Sequence, residues 1–327
     1  MNQQLAGSVH NPRNSEVLDP GWKASPITIS VTFHRNTEHP APDGHDTRVY
    51  GELYNSPVFI DAHRELQESD PEPGYTLPCC IVASMFASDE TTVTGFGDMK
   101  IWPWYMVYGN ESKYRRSKPM EFCREHVAYF ESLPDSFIDF ATPIYVRLLL
   151  DEEFSMAYQH GIIIDCSDSV RRCFYPRIFT HSTDYPEKIL LVGIRYLGQC
   201  PCPRCHIHES ELHKMGMRRD MTARVSKTRE DDEPRRHKVK KACKLIFEEN
   251  YAVNSAVVEA LLKPESLFPA ANTFSDVLGP LGFNMFLVCV VDLMHDFELG
   301  VWKSLFEYIL RILECVDECL LKEVDRG

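Results

Sequence analysis

Residues 79–88 read Cys-Cys-Ile-Val-Ala-Ser-Met-Phe-Ala-Ser, a near-continuous apolar run that stops at Asp89. A run this short, with no helical or alternating period, suits a central strand buried on both faces. A chain holding such a strand must cover both of its sides, which points to an α/β architecture. A turn-like stretch carrying Gly95 and Gly97 follows. Lys100 to Tyr108 is then aromatic and β-prone, and predicts a second strand, antiparallel to the first and ended by Gly109-Asn110. Helical spacing is read over 119–135 and 143–159. Gly161 to Cys166 and Cys173 to Phe179 predict another strand pair. Lys188 to Leu197 is apolar without a clear period. Residues 207–265 read as charged helices, and Phe283 to Leu313 as one long apolar helix or a helix pair. Before all this, residues 1–75 are rich in Pro and polar residues, with helix-like spacing only from Val49 to Leu66.

The chain has 327 residues, 44% apolar and 25% charged, which excludes a mainly disordered chain, a collagen-like fibre and a coiled-coil rod. No apolar run reaches the roughly 18 residues a membrane span needs, and Met1 to Arg13 lacks the apolar core of a secretory signal. The net charge of −13 hides a segregation. From Arg218 to Lys244 eleven Arg and Lys face five acids, among them Arg218, Arg219, Arg235, Arg236, Lys238, Lys240 and Lys241. An acidic chain binds nucleic acid only through such a local basic patch; the alternative is a solvated helical face. Of 12 cysteines, Cys79, Cys80 and Cys289 lie in apolar surroundings and read as reduced, buried thiols.

Four constellations carry chemistry. Asp89 and Glu90 close a buried strand, where two or three converging carboxylates can hold Mg²⁺ for phosphodiester chemistry, or where an Asp simply caps a turn. Asp184-Tyr-Pro186-Glu187 offers a second acid, or a helix N-cap with Pro in the first turn. Cys202-Pro-Arg-Cys205 presents two thiolates at the spacing of a zinc knuckle, with His206, His208, His213 and His295 as further ligands; structural thiols and a redox pair are the alternatives. Asp292, His295 and Asp296 share a helical face, with Glu298 close by, and such a face could complete a metal site or simply be a polar stripe.

Taken in order, Ser88-Asp89 with Thr94 and Phe96-Gly97, Trp102-Pro103 with Tyr105 and Gly109-Asn110, Tyr175-Pro176 with Asp184-Tyr-Pro-Glu187, Cys202-Pro-x-Cys205, and Asp292-Leu-Met-His295 with Gly300-Val-Trp302-Lys303 resemble the Plavaka group of transposases, fungal relatives of the CACTA elements. The likeness spans roughly residues 50–327. It implies an RNase-H-like DDE/D core and cut-and-paste DNA transposition. Asp89 would match the first catalytic acid and Asp184 the second, with Glu298 the candidate third. Relatives carry a longer segment where this chain has Phe140 to Asp151, and the closing motifs of the family are not met before Gly327, so a truncated or decayed copy is expected.

The expectation is therefore an RNase-H-like mixed sheet with a helical insertion carrying the Cys202/Cys205 motif. Its parts would be an arm at 1–75, a core at 76–199, a basic insertion at 200–282 and a helical segment at 283–327. Mg²⁺ or Mn²⁺ would sit on Asp89 and Asp184, and Zn²⁺ on Cys202, Cys205 and His295. The partner would be double-stranded DNA at transposon ends, with a second copy of the chain as a further candidate and no membrane. The setting would be the nucleus if the protein is functional, and otherwise the inside of the cell. The competing class is an inactive transposon-derived protein that binds nucleic acid or other partners. A hydrolase unrelated to DNA stands third, since no Ser-His-Asp elbow or phosphate loop is visible.

Overall fold

The computed structural model describes residues 51–70, 72–74, 76–93, 100–121, 123–131, 149–317 and 320, together with the backbone of four short strands before residue 50. Thr94, Phe96, Gly97 and all of the 132–148 segment fall outside the described residues. The chain divides into two compact units, 1–132 with 145–181, and 133–144 with 182–327.

The first unit is built on a sheet. Its first helix, α1 (Pro57–Glu68), starts where Ser56 accepts a hydrogen bond from Phe59 N at 3.2 Å and Pro57 occupies the first turn. The buried run is strand β1 (Cys79–Ser88), and Lys100–Tyr108 is β2, paired antiparallel from Ser84 with Tyr108 to Ser88 with Trp104. The Gly109-Asn110 turn does more than end β2. Asn110 is buried, accepts from Ala83 N at 2.7 Å and donates to Ile81 O at 2.9 Å, so its amide substitutes for a strand neighbour beside β1.

Arg124–Glu131 forms β3, antiparallel to β2 with a bulge at Trp104/Tyr105. This corrects the helix read over 119–135. Phe130 is buried and Ala128 half-buried while Tyr129 points outward, an alternation of period two that pairing with β2 selects over helix. Helix α2 (Glu152–His160), capped by Asp151, bears out the later helical reading in part. The expected strand pair is β4 (Ile162–Asp165) and β5 (Arg171–Ser182), antiparallel.

In the sheet β5 neighbours β1, giving the path β5, β1, β2 with β3 beside β2. Cys173 N donates to Pro78 O at 3.0 Å where both strands begin, and Ser88 meets His181 at 2.8 Å where both end, so β1 and β5 run in the same direction. Phe59, Ile81 and Ala83 form one core cluster with α1, and Cys80, Cys166 and Phe174 another, so β1 is covered from both sides.

The second unit is mainly helical. The ambiguous 188–197 segment opens with helix α3 (Tyr185–Val192), closed by Gly193 in the left-handed conformation at φ 65°. Then come α4 (Arg218–Ser226), α5 (Glu233–Phe247), α6 (Ala256–Leu262) and α7 (Thr273–Val277). The apolar 283–313 region is a helix pair, α8 (Leu293–Trp302, wound as a π-helix) and α9 (Lys303–Val316), preceded by a helical turn at Met285–Val288 and a short strand at Cys289–Val290. Among the described residues, no cysteine is in a disulfide and no helix is long and apolar enough to cross a membrane.

Candidate functional site

Asp89 directly follows β1 and is half-buried. Its neighbour Ser88 and the buried His181 of β5 are joined Oγ to Nε2 at 2.8 Å. Trp104 packs edge-on against the His181 ring at 4.6 Å between centroids, and Phe86 lies 6.2 Å away. The first acid thus stands beside a packed, hydrogen-bonded junction between two strand ends, where side-chain freedom is small.

Asp184, in the second unit, is the N-cap of α3, and its Oδ1 accepts from Glu187 N at 3.0 Å. Pro186 sits in the first turn, and the Thr183 hydroxyl donates to the buried Glu187 carboxylate. This is the cap that the Asp-x-Pro-Glu pattern announces. The next residue, Lys188, is buried and its ammonium reaches Asp296 Oδ2 at 2.6 Å. That same oxygen accepts from Asp292 N at 3.1 Å. Asp292 in turn caps α8: its Oδ1 accepts from Met294 N at 2.8 Å and His295 N at 3.1 Å, while its Oδ2 lies 3.2 Å from His295 Nδ1. Burial works to raise the Asp292 pKa, but the hydrogen bonds from His295 and Met294 outweigh it and hold the carboxyl below its ordinary value. Glu298, two residues beyond Asp296, is exposed.

The cysteine motif belongs to the same unit and is clamped from behind. Arg229 is fully buried and donates to the carbonyls of Cys200 at 2.7 Å, Cys202 at 2.9 Å and Glu265 at 2.8 Å. Cys202 Sγ accepts from Arg204 N at 3.4 Å, and Arg224 approaches Cys205 Sγ at 3.9 Å. Burial, with the Cys202 thiol beside it, pushes the Cys205 pKa up, while Arg224 and the Ile207 N–H act against that. Arg204, between the two cysteines, donates to Phe286 O and Leu287 O at 3.2 and 2.9 Å. Cys289, just beyond, is pushed up to about 12 by burial although Lys188 and Arg204 both act on it. Asp184-Glu187, Cys202-Cys205 and Asp292-His295 are therefore bound into one framework by Lys188 and Arg204. Sequence reading missed both residues, and their only local signal was adjacency to a motif.

As a zinc site, the framework supplies two thiols of a tetrahedral set. His206 Nδ1 is buried without a hydrogen-bond partner, and burial lowers that imidazole's pKa. His208 Nδ1 is engaged with Ser210, and His295 with Asp292. Among the described residues no group of three or more His, Cys, Asp or Glu side chains is arranged to hold a metal ion.

The basic segment splits into two populations. Arg235 is turned inward, donating to Val192 O at 2.8 Å and Asp231 at 3.0 Å, so its charge serves the fold. Arg236 pairs with Asp231 and Glu233, Lys238 with Glu265, and Lys240 with Asp276 at 3.4 Å. Arg218, Arg219 and Lys241 are exposed, the first two at the start of α4 and the third on α5.

Residues 147–309, about half of the chain, match the family model of the Plavaka transposase. This segment belongs to the Plavaka transposase family. The match takes in Asp184, the cysteine motif, the basic segment and the Asp292-His295 cap, so the Lys188–Asp296 and Arg204 links join parts of one family region. Asp89 lies before it. No curated protein matches the chain.

Proposed function

We propose that this Plavaka-type chain performs transposase chemistry: Mg²⁺-dependent cleavage and transfer of DNA strands on an RNase-H-like core. The observation that supports the reading is the parallel pairing of β1 and β5 within the first unit, because each strand is followed in the sequence by one of the two acid motifs. Asp89 adjoins Ser88. Asp184 is three residues of chain from His181, a stretch that spans at most about 11 Å. The divalent ion on these carboxylates would activate a water or hydroxyl and stabilise the leaving oxygen. Asp184, fixed as an N-cap with one oxygen engaged, would orient its second oxygen toward the ion. Lys188, paired with Asp296, would hold the cap in register with α8. Purified chain incubated with supercoiled plasmid and Mg²⁺ is expected to yield nicked circles. Absence of nicking across Mg²⁺ and Mn²⁺, with DNA binding intact, would favour the alternative of an inactive DNA-binding remnant.

Duplex binding would run through Arg218, Arg219 and Lys241, contacting phosphate without reading sequence. Affinity is expected to fall with salt at a log–log slope of about −0.9 per phosphate neutralised. Changing both Arg218 and Arg219 to Ala should make that slope shallower by roughly 2, since two fewer phosphates are neutralised. A slope unchanged in the double variant would remove α4 from the interface.

Zinc on Cys202 and Cys205 belongs to the same reading, with the remaining ligands open. Metal analysis of purified chain is expected to find close to one Zn²⁺, lost together with stability in the Cys202→Ser/Cys205→Ser protein, because structural zinc contributes folding free energy. Well-folded protein without zinc would leave the pair as structural thiols.

A further inference from the structure

The solvent side of α4 carries three apolar side chains in a row. Met217, Met221 and Val225 are 59%, 50% and 76% exposed, and their spacing of four residues sets them along one ridge of the helix. Apolar side chains exposed singly are ordinary on a protein surface, but a contiguous row marks a contact. The next ridge round the helix is Arg218, Thr222 and Ser226, with Arg219 beyond it, all exposed. Among the described residues neither arginine is in an ion pair. The one acid of the helix, Asp220, is buried and paired with Arg224 at 2.6 Å, so the exposed side carries positive charge alone. The two hydroxyls are already engaged, Thr222 Oγ1 donating to Arg218 O at 3.0 Å and Ser226 Oγ to Ala223 O at 3.1 Å. Met217 holds the N-cap position, where its side chain accepts nothing from the first N–H groups, so the positive end of the helix dipole is open beside the two arginines.

From this arrangement we infer that α4 lies along one phosphate backbone of duplex DNA and presses the Met217–Met221–Val225 ridge into the adjoining minor groove as a wedge, unstacking a base step and bending the duplex. The inference rests on the reading that α4 binds DNA, and adds to it a preference for deformable steps. Charge selects the partner, because bare cations and an open helix N-terminus fit a polyanion. Two features select the minor groove. Cations stand on one side of the ridge only, while a helix seated in the major groove has a backbone on each side. With both hydroxyls turned onto carbonyls, the exposed side has no donors beyond the two arginines with which to read major-groove edges, and Met is among the side chains that enter between base steps. A lipid surface fits less well. A helix lying in a membrane carries a broad apolar face with Trp, Phe or Leu, and this ridge is one residue wide. Pyrimidine–purine steps such as TA kink most easily, so the wedge gives a sequence preference without a base-specific hydrogen bond.

The test uses the full chain in buffer without Mg²⁺ or Mn²⁺, so that no cleavage intervenes, and end-labelled duplexes of about 20 base pairs, long enough to report a bend. One has a central TA step, one has G·C pairs in its place, and one has a mismatch there. Fluorescence transfer between the ends reads bending, and anisotropy reads affinity. The parent is expected to shorten the end-to-end distance and to prefer the TA and mismatched duplexes by about tenfold, since unstacking costs less in them. Met217→Ala/Met221→Ala should weaken the TA duplex at least about tenfold, as two thioether side chains no longer leave water on binding. The same variant should lose the bend and keep a preference of no more than about twofold. Its salt slope should stay that of the parent, because no charge has changed. Met217→Leu/Met221→Leu keeps a wedge and should behave as the parent. Both positions are exposed and both replacements favour helix, so the fold is kept. An Ala variant that binds and bends as the parent does overturns the wedge. Weakened binding with no bend in either protein puts the ridge outside the minor groove and overturns it as well. Tighter binding to phosphatidylserine vesicles than to duplex, lost in the Ala variant, overturns DNA as the partner. If changing Arg218 and Arg219 to Ala leaves the salt slope unchanged, the reading of α4 as a DNA contact fails and the wedge with it. If that slope falls while the Ala variant of the ridge matches the parent, the wedge alone fails.

Discussion

Asp89→Asn protein is expected to lose Mg²⁺-dependent nicking by at least about a thousandfold, while its affinity for duplex DNA stays the same or rises. Metal-ion stabilisation of a phosphodiester transition state is worth several kcal/mol, and about 4 kcal/mol is a factor of a thousand in rate. An amide is a poor Mg²⁺ ligand, yet it keeps the shape of the carboxylate, so the strand end beside Ser88 and His181 should be undisturbed. Removing a negative charge near phosphate eases repulsion, which is why binding should not weaken. Asp184→Asn makes the sharper control. Asn caps helices about as well as Asp, so the acceptor that takes Glu187 N survives and α3 keeps its start. A loss of nicking there with an unchanged melting temperature separates a metal-holding role from capping. If either Asn variant nicks as fast as the parent, that carboxylate is only a turn or helix cap. Glu298→Gln tests the third acid on the same scale; full activity would return Glu298 to the exposed face of α8.

What could be read from the sequence was what local pattern encodes. β1 and β2 follow from an apolar run, an aromatic run of residue types that pair well, and the Gly109-Asn110 turn that ends β2. The cap at Asp184 follows from Asp-x-Pro-Glu. The helix read over 119–135 failed because Val127 and Phe130 also fit a helical period, and only pairing of Arg124–Glu131 with β2 decides between the two. The charges were the least legible. Lys188 and Asp296 are 108 residues apart, so no local spacing announces their bond. Arg235 and Arg229 stand in the same basic segment as Arg218 and Lys241, yet the first two are buried and the other two exposed. Whether a cation in a charged run serves the fold or a phosphate depends on which carbonyls lie across from it, and that is a property of tertiary packing.

Arg229→Met should be the most destabilising single change in the second unit, by about 3 kcal/mol or more in urea denaturation. Three backbone carbonyls, of Cys200, Cys202 and Glu265, lose their donor together, and each buried acceptor left unmet costs about 1–3 kcal/mol. One term opposes this. Burial, with the Arg235 cation adding to it, pulls the Arg229 pKa down, so removing the cation relieves a desolvation penalty. Relief of that term is smaller than the loss of three charge-assisted bonds, because the carbonyls cannot reach water without opening the 200–205 loop. Against a typical total of about 5–15 kcal/mol the loss is large. Lysine does not restore it, since one ammonium lacks the planar fork that meets three separated oxygens. The loop opening has its own signature. Cys205 is 2% exposed and its thiol is raised by burial, so it should react slowly with a disulfide reagent in the parent and much faster in Arg229→Met. If the variant melts with the parent and its thiols stay protected, Arg229 is not the clamp on the cysteine motif.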